Sequence, residues 1–430
     1  MRRLLAVALV VGLVACGGGE DEPVEPLSKL DFRPTSEFGI EAVITGLQLG
    51  KQVSDERVPD DGTDRAEGYR FMLRLIEMNL NNLSGDHDPA HPQINRCPSK
   101  NCKLGFDNPD YTYVGALPLS ADYNYRLYGE RGTAELILFQ VLERSDLKFE
   151  GTSRTHSDAM QINEDGSWEI FLGAEQPAGV ADANFLQLKE ENVNLVIRIA
   201  HNDWNNSIEP SINIEVLDPV EEPVRSLTPM RMAVTGFAFS KMIPGQINRW
   251  LDVIGNAPLN GVDAPCPGWA SGCGEGGFGG YATGGRYQLA EDEALVIEAP
   301  DTPSRYQNIQ LGNIWGESQD YANKQTSLNG FQAHRDSDGI YRYVLAHTDP
   351  GVPNWLDVSD HPEGAMFMRW VFPLEGASPL QPKGTVVPLS ELRDFLPADT
   401  PKVSPEQRAE NLKMRLKAYN RRVNPANYSG

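Results

Sequence analysis

The chain has 430 residues, of which 40% are hydrophobic and 8% aromatic, and a formal net charge of −22 from 38 Lys+Arg against 60 Asp+Glu. That length accommodates two or three domains with more than one buried core, and the composition is that of a folded chain. Its acidic balance repels phosphate backbones, which excludes nucleic acid as a partner.

The amino terminus reads as an export leader. Arg2 and Arg3 form a basic start, and residues 4–14 are an apolar run too short to cross a bilayer as a helix. Leu13-Val14-Ala15-Cys16 follows. This tetrapeptide resembles the lipobox of bacterial lipoproteins, which implies cleavage before Cys16, lipidation of Cys16 and a membrane partner reached through the lipid anchor. Residues 1–16 are then the signal and lipidation site. Gly17, where Asp would signal retention, implies by the same resemblance the outer membrane of a Gram-negative envelope. Residues 17–30 open with GGGEDEPVEP, a flexible acidic tether that cannot build a core.

From Thr63 the spacing predicts a helix. Asp64 and Glu67 fit a capping box, and Tyr69, Met72, Leu73, Ile76 and Leu80 make one apolar stripe for packing against a sheet. A loop over residues 85–110 follows. It holds His87 and His91 four apart, a metal-ligating spacing on a helix, but Pro89 and Pro92 oppose a helix there. Between residues 111 and 217 short strands such as AELILFQVL and NLVIRIA are separated by turn signals, the pattern of an antiparallel sandwich or barrel. Residues 31–225 thus form an N-terminal helix plus a β-rich half. Residues 226–260 return to helical spacing as a connector, in two stripes with Pro244 between them. Residues 261–430 form the second β-rich half, ending in a helix that starts at Ser404-Pro405 with Gln407 closing the box. On that last helix Leu412, Leu416 and Tyr419 are expected to face inward. The fold class is mainly β with accessory helices, α+β.

Beyond Cys16, four cysteines remain: Cys97, Cys102, Cys266 and Cys273. An even number in an exported chain reads as disulfides, and Cys97–Cys102 with Cys266–Cys273 is the simplest of three connectivities. Zinc is the rival, and the spacings of four and six intervening residues match a zinc knuckle poorly.

Residues 294–372 concentrate the candidate chemistry. Gln325, Asn329, His347, Asp349 and Asn354 offer hydrogen-bonding groups, and Trp355 offers a flat apolar face, the usual make-up of a small-molecule site. The same groups serve equally well to satisfy buried loop backbone, and the two readings stand side by side. No metal or other cofactor is favoured. The alternative is a facial triad of His347, Asp349 and His361 holding iron (Fe), as in a metal-dependent oxygenase, or the same residues serving a hydrolase. The segments RYQNIQLGNIWGESQDYANKQTSLN and AHTDPGVPNWLD resemble the family known as domain of unknown function 1214. In looser form the resemblance runs from RAEGYRFMLRL through NPDYTYVGALPLSADYNYRLYGERG to LRDFLPADTPKVSPEQR, and it is most specific at residues 305–356. It implies a largely β body, with antiparallel sandwich or jelly-roll-like halves and accessory helices, and brings no agreed activity. The resulting expectation is an envelope lipoprotein that binds a small molecule or glycan in its C-terminal β-domain, with an envelope enzyme and a structural envelope protein as alternatives.

Overall fold

The structure is a computed structural model, and it describes residues 31–84, 88–97, 102–145, 148–220, 226–268, 270, 273, 280–358 and 360–423. The leader, Cys16, the tether and His87 lie outside them. In chain order come α1 (Ser36–Arg57), α2 (Thr63–Ser84), β1 (Asn95–Arg96), β2 (Tyr111–Leu119), β3 (Tyr125–Glu130), β4 (Leu136–Ser145), β5 (Lys148–His156), β6 (Ser167–Gly173), β7 (Phe185–Gln187), β8 (Val193–Ala200) and β9 (Asn213–Val216). Helix α3 (Pro229–Gly255) leads to β10 (Gly280–Gln288), β11 (Glu293–Pro300), β12 (Ser304–Gly312), β13 (Ser327–Asn329), β14 (Ile340–Ala346), β15 (Trp355–Asp357), β16 (Glu363–Pro373) and β17 (Lys383–Pro388). The short α4 (Leu392–Phe395) and the long α5 (Pro405–Val423) end the chain.

The strands form four sheets with no barrel closure, so the architecture is α+β with β dominant. Sheet β1-β2-β8-β4-β5 faces sheet β7-β6-β3-β9, and sheet β10-β16-β12-β13 faces β15-β14-β11-β17. Setting β1 aside and counting each half from its own first strand, both halves read 1-7-3-4 against 6-5-2-8. In both, the fifth and sixth strands pair in parallel, and every other strand pairing is antiparallel. The protein is therefore two copies of one eight-stranded sandwich. Alternation drives each fold: in β8, Val193, Leu195, Ile197 and Ile199 point inward while Asn194, Val196 and Arg198 between them stay half-buried. The first core joins Leu127, Phe139, Trp168 and Ile197, and the second joins Ile297, Ile309, Tyr343 and Met368.

The helices depart from expectation in four places. Helix α1 carries no clear helical signal, because Gly39, Gly46 and Gly50 interrupt it. These glycines are what let α1 lie backbone-to-backbone on α3. A Cβ on Gly46 would stand 2.5 Å from Ser240 Cα, and one on Gly236 would stand 1.9 Å from the Gly39 carbonyl oxygen. Helix α3 runs straight through Pro244 as one element, held by burial of Ile243, Pro244, Ile247 and Leu251. On α2 the inward residues are Phe71, Met72 and Leu75, whereas Leu73 is 66% exposed, and the side chain of Leu80 lies outside the described set. On α5, Leu416 is exposed and Ala418 and Tyr419 are buried. Cys97 bonds to Cys102 and Cys266 to Cys273, with Cα separations of 5.6 and 5.4 Å.

The α1–α3 contact gives a direct test. Gly236→Ala should cost about 1–3 kcal/mol in urea denaturation from overpacking, although alanine is the better helix former by about 1 kcal/mol. Gly255→Ala, at an α3 position with nothing within 4 Å of the new methyl, should be neutral or stabilising.

Candidate functional site

The candidate polar residues of the second half sort by what they touch. Gln325, Asp349 and Trp355 converge on one guanidinium, that of Arg408 from α5. Arg408 Nε donates to Asp349 Oδ2 at 2.9 Å and Nη1 to Gln325 Oε1 at 2.9 Å. Its Nη2 donates to the Val352 carbonyl, and its plane lies 5.2 Å from the Trp355 ring. Gln325 Nε2 donates to the carbonyls of Pro353 and Trp355, and Trp355 Nε1 to that of Ala346. The polar and aromatic socket is thus filled by the chain's own terminal helix.

The remaining candidates lie apart from that socket. Asn354 braces the chain at His334 with reciprocal bonds to its N–H and carbonyl. Asn329 Nδ2 donates to Asp110 Oδ1 and to the Asn202 carbonyl in the first sandwich. His347 Nε2 reaches the Leu289 carbonyl. His361 Nε2 lies 2.9 Å from Glu67 Oε2. The facial-triad alternative is therefore corrected: His347, Asp349 and His361 turn to three different partners. Among the described residues no group of three or more His, Cys, Asp or Glu is placed to hold iron or another metal.

Two clefts bring together candidate chemistry. The larger, about 680 Å³, lies between the sandwiches and is bordered by both disulfides. That volume is within the range of small-molecule sites. Its walls are Tyr111, Tyr113 and Leu138 of the first sandwich, Phe367 and Val371 of the second, and Phe106 between them. Arg198 and Arg369 enter this mostly apolar space. Arg369 donates to the neutral acceptors Gln310 Oε1 and Phe106 O and stacks 4.1 Å from the Phe367 ring, and among the described residues it has no carboxylate partner. The Tyr111 hydroxyl is buried with no hydrogen-bond partner among the described residues, and burial pushes its pKa up, so it stays a neutral O–H.

The second cleft, about 560 Å³, is polar and lies between α2, α5 and the loops around residues 313–326 and 357–361. Glu67, which in sequence resembles a helix cap, instead turns its carboxylate to His361, Asn313 and Arg70. Burial works against its ionisation, but the hydrogen bond and charge of His361, with Arg70 and Asn313, prevail and hold its pKa at about 2. Lys103 is 8% exposed and donates to the carbonyls of Ser318 and Gln319. Another histidine–carboxylate arrangement, Ser207–His201–Glu209, has the residue types of a hydrolytic triad, yet His201 is wholly buried and lines neither cleft. Capping periodicity could not reveal Glu67, because its partner His361 is 294 residues away.

This geometry defines a class first, a two-sandwich α+β protein with a cleft between its halves. Residues 139–203 match the family described as protein of unknown function (DUF1214). They run from β4, the third strand of the first sandwich, to just past β8. The segment of residues 305–356 starts on β12, the third strand of the second sandwich, so the match and the resemblance fall on equivalent strands of the two copies. The crystal structure of an uncharacterised protein from Burkholderia cenocepacia is similar at 28% identity and a TM-score of 0.74, covering 82% of this chain and 97% of that one. That of the VPA0106 protein from Vibrio parahaemolyticus is similar at 12% identity and a TM-score of 0.45, covering 80% of this chain and 100% of that one. No curated protein matches the chain.

The socket makes a clear prediction. Arg408→Met should cost about 2–4 kcal/mol in urea denaturation, because it strands Asp349 and Gln325; Asp349 keeps a quarter of its side-chain exposure, which moderates the loss.

Proposed function

We propose that this protein is a lipid-anchored envelope protein that binds a small amphipathic anion in the cleft between its sandwiches. The observation that carries this reading is the Tyr111 hydroxyl, buried beside Arg369 in a cleft with apolar walls and without a partner among the described residues. A buried hydroxyl without a partner costs free energy, and a guanidinium bonded only to neutral acceptors lacks the charge-assisted bond it makes best. A carboxylate or similar head group supplies both deficits at once, and its apolar remainder fits against Leu138, Phe367 and Val371. The mainly apolar walls favour such a ligand over a glycan. Anchoring rests on the Leu13–Cys16 tetrapeptide and would place the cleft in the envelope, at the outer membrane.

Calorimetric titration with dodecanoate and with dodecanol, its neutral counterpart, tests the binding. Dodecanoate should bind at least tenfold more tightly, and Arg369→Met should erase that preference. Tyr111→Phe should weaken dodecanoate about threefold to tenfold, in line with one hydrogen bond of about 1 kcal/mol, without lowering Tm. Equal affinity for acid and alcohol, or no heat from either, overturns the reading. Anchoring is checked separately: Cys16→Ser should abolish acyl labelling and release the protein from the membrane fraction.

A further inference from the structure

We propose that the polar cleft is a second site, a proton-transfer centre in which His361, oriented by Glu67, takes a proton from the carbon next to the carbonyl of a small hydroxy-carbonyl compound. The arrangement has the three parts such a reaction needs. The first is a base. His361 Nε2 is fixed on Glu67 at 2.9 Å, Nδ1 has no partner among the described residues, and the ring lines the cleft. The second is a donor for the oxyanion that develops. Lys103 spends two N–H bonds on the Ser318 and Gln319 carbonyls, and one remains at the cleft wall. The third is a contact for a substrate hydroxyl. Thr326 Oγ lines the same cleft, buried at 1% exposure and without a partner.

The charge pattern suits a neutral, polar molecule. Arg74 is neutralised by Glu317, Arg70 by Glu67 and Lys324 by Asp360, so the cleft has no surplus of cations for a strongly anionic guest. The scheme uses no covalent nucleophile, and the Ser318 hydroxyl donates to Asp107 at 2.6 Å. Proton transfer needs none. In the step itself the C–H bond breaks and its proton passes to His361 Nδ1. The electron pair moves into the adjacent C–C bond and onto the carbonyl oxygen, where the Lys103 ammonium donates to it. Return of the proton to the same carbon gives exchange; its delivery to the former carbonyl carbon, with the hydroxyl proton passing to the neighbouring oxyanion, completes an isomerisation with no oxidant, reductant or co-reactant. His361 and Lys103 touch the substrate in this scheme, and Glu67 is a positioning residue.

The test follows hydrogen–deuterium exchange at the hydroxymethyl carbons of dihydroxyacetone in D2O by NMR, with the full chain. The wild-type protein should accelerate exchange at least tenfold over an equal amount of His361→Ala. Free imidazole should restore part of the rate to His361→Ala, which a purely structural role cannot explain. Glu67→Gln should lose at least tenfold while dodecanoate binding at the other cleft is unchanged, so failure here is separable from failure there. If His361→Ala does not fold, His361→Gln takes its place, with wild-type against variant exchange as the criterion. Equal exchange by wild type and a folded His361 variant, or no rescue of folded His361→Ala by imidazole, overturns the proposal.

Discussion

The relative placement of the two sandwiches depends on one buried carboxylate. Asp110 has no exposed surface, and its oxygens accept from Trp204 Nε1 at 2.7 Å, Tyr306 Oη at 2.6 Å and Asn329 Nδ2 at 3.0 Å. Trp204 belongs to the first sandwich, and Tyr306 and Asn329 belong to the second. A carboxyl group buried in an apolar interior is costly unless it is hydrogen-bonded, and here donors from both halves supply three bonds. Both halves must dock before those bonds form, so the bond pattern favours a single orientation. Asn108, two residues earlier, donates through Nδ2 to the Tyr306 hydroxyl at 2.8 Å, and Asp107 accepts from the Ser318 N–H. The segment from Asp107 to Asp110 is a polar rivet through an otherwise apolar seam that includes Tyr111, Leu138, Tyr306 and Val371.

Helix α5 reinforces that docking with cations. Arg408 enters the second sandwich, while Arg415 reaches Tyr321 and Ser327 and stacks on Trp204. Arg422 donates to the Pro109 carbonyl and stacks on the same indole. Guanidinium groups suit this work because a planar fork both bonds several acceptors and lies flat on a ring. The polar loops of the second half therefore carry the residue types of a binding pocket for a structural reason. They bind an internal ligand, and composition alone does not tell an internal guanidinium from an external molecule.

Much of the fold is legible in the sequence because its signals are local. Strand alternation in Val193–Ala200, the turn glycines and the closely spaced cysteines act over a few residues, and each emerges as expected. The failures are tertiary. Helix α1 hides behind glycines that make sense only once α3 is laid against them, and Pro244 is tolerated because its neighbours are buried. Glu67 satisfies the letters of a cap yet serves a histidine from the far end of the chain. The duplicated topology leaves no readable repeat, since strand order is conserved by geometry and not by residue identity. Neither cleft could be assembled from sequence spacing, because each draws its walls from segments hundreds of residues apart.

Duplication also places a guanidinium on each side of the seam. Arg198 stands on β8 and Arg369 on β16, the seventh strand of each sandwich, and each has a strand on either side. The two sheets that face the seam are equivalent, so a side chain useful on one face has a counterpart on the other. Two guanidiniums thus approach a common apolar space from opposite walls, Arg198 donating to Gln140 Oε1 and Arg369 to Gln310 Oε1 and the Phe106 carbonyl. Neutral acceptors satisfy hydrogen bonds without cancelling charge. Under the proposed function, these guanidiniums are what an anionic head group would meet within a chain of net charge −22.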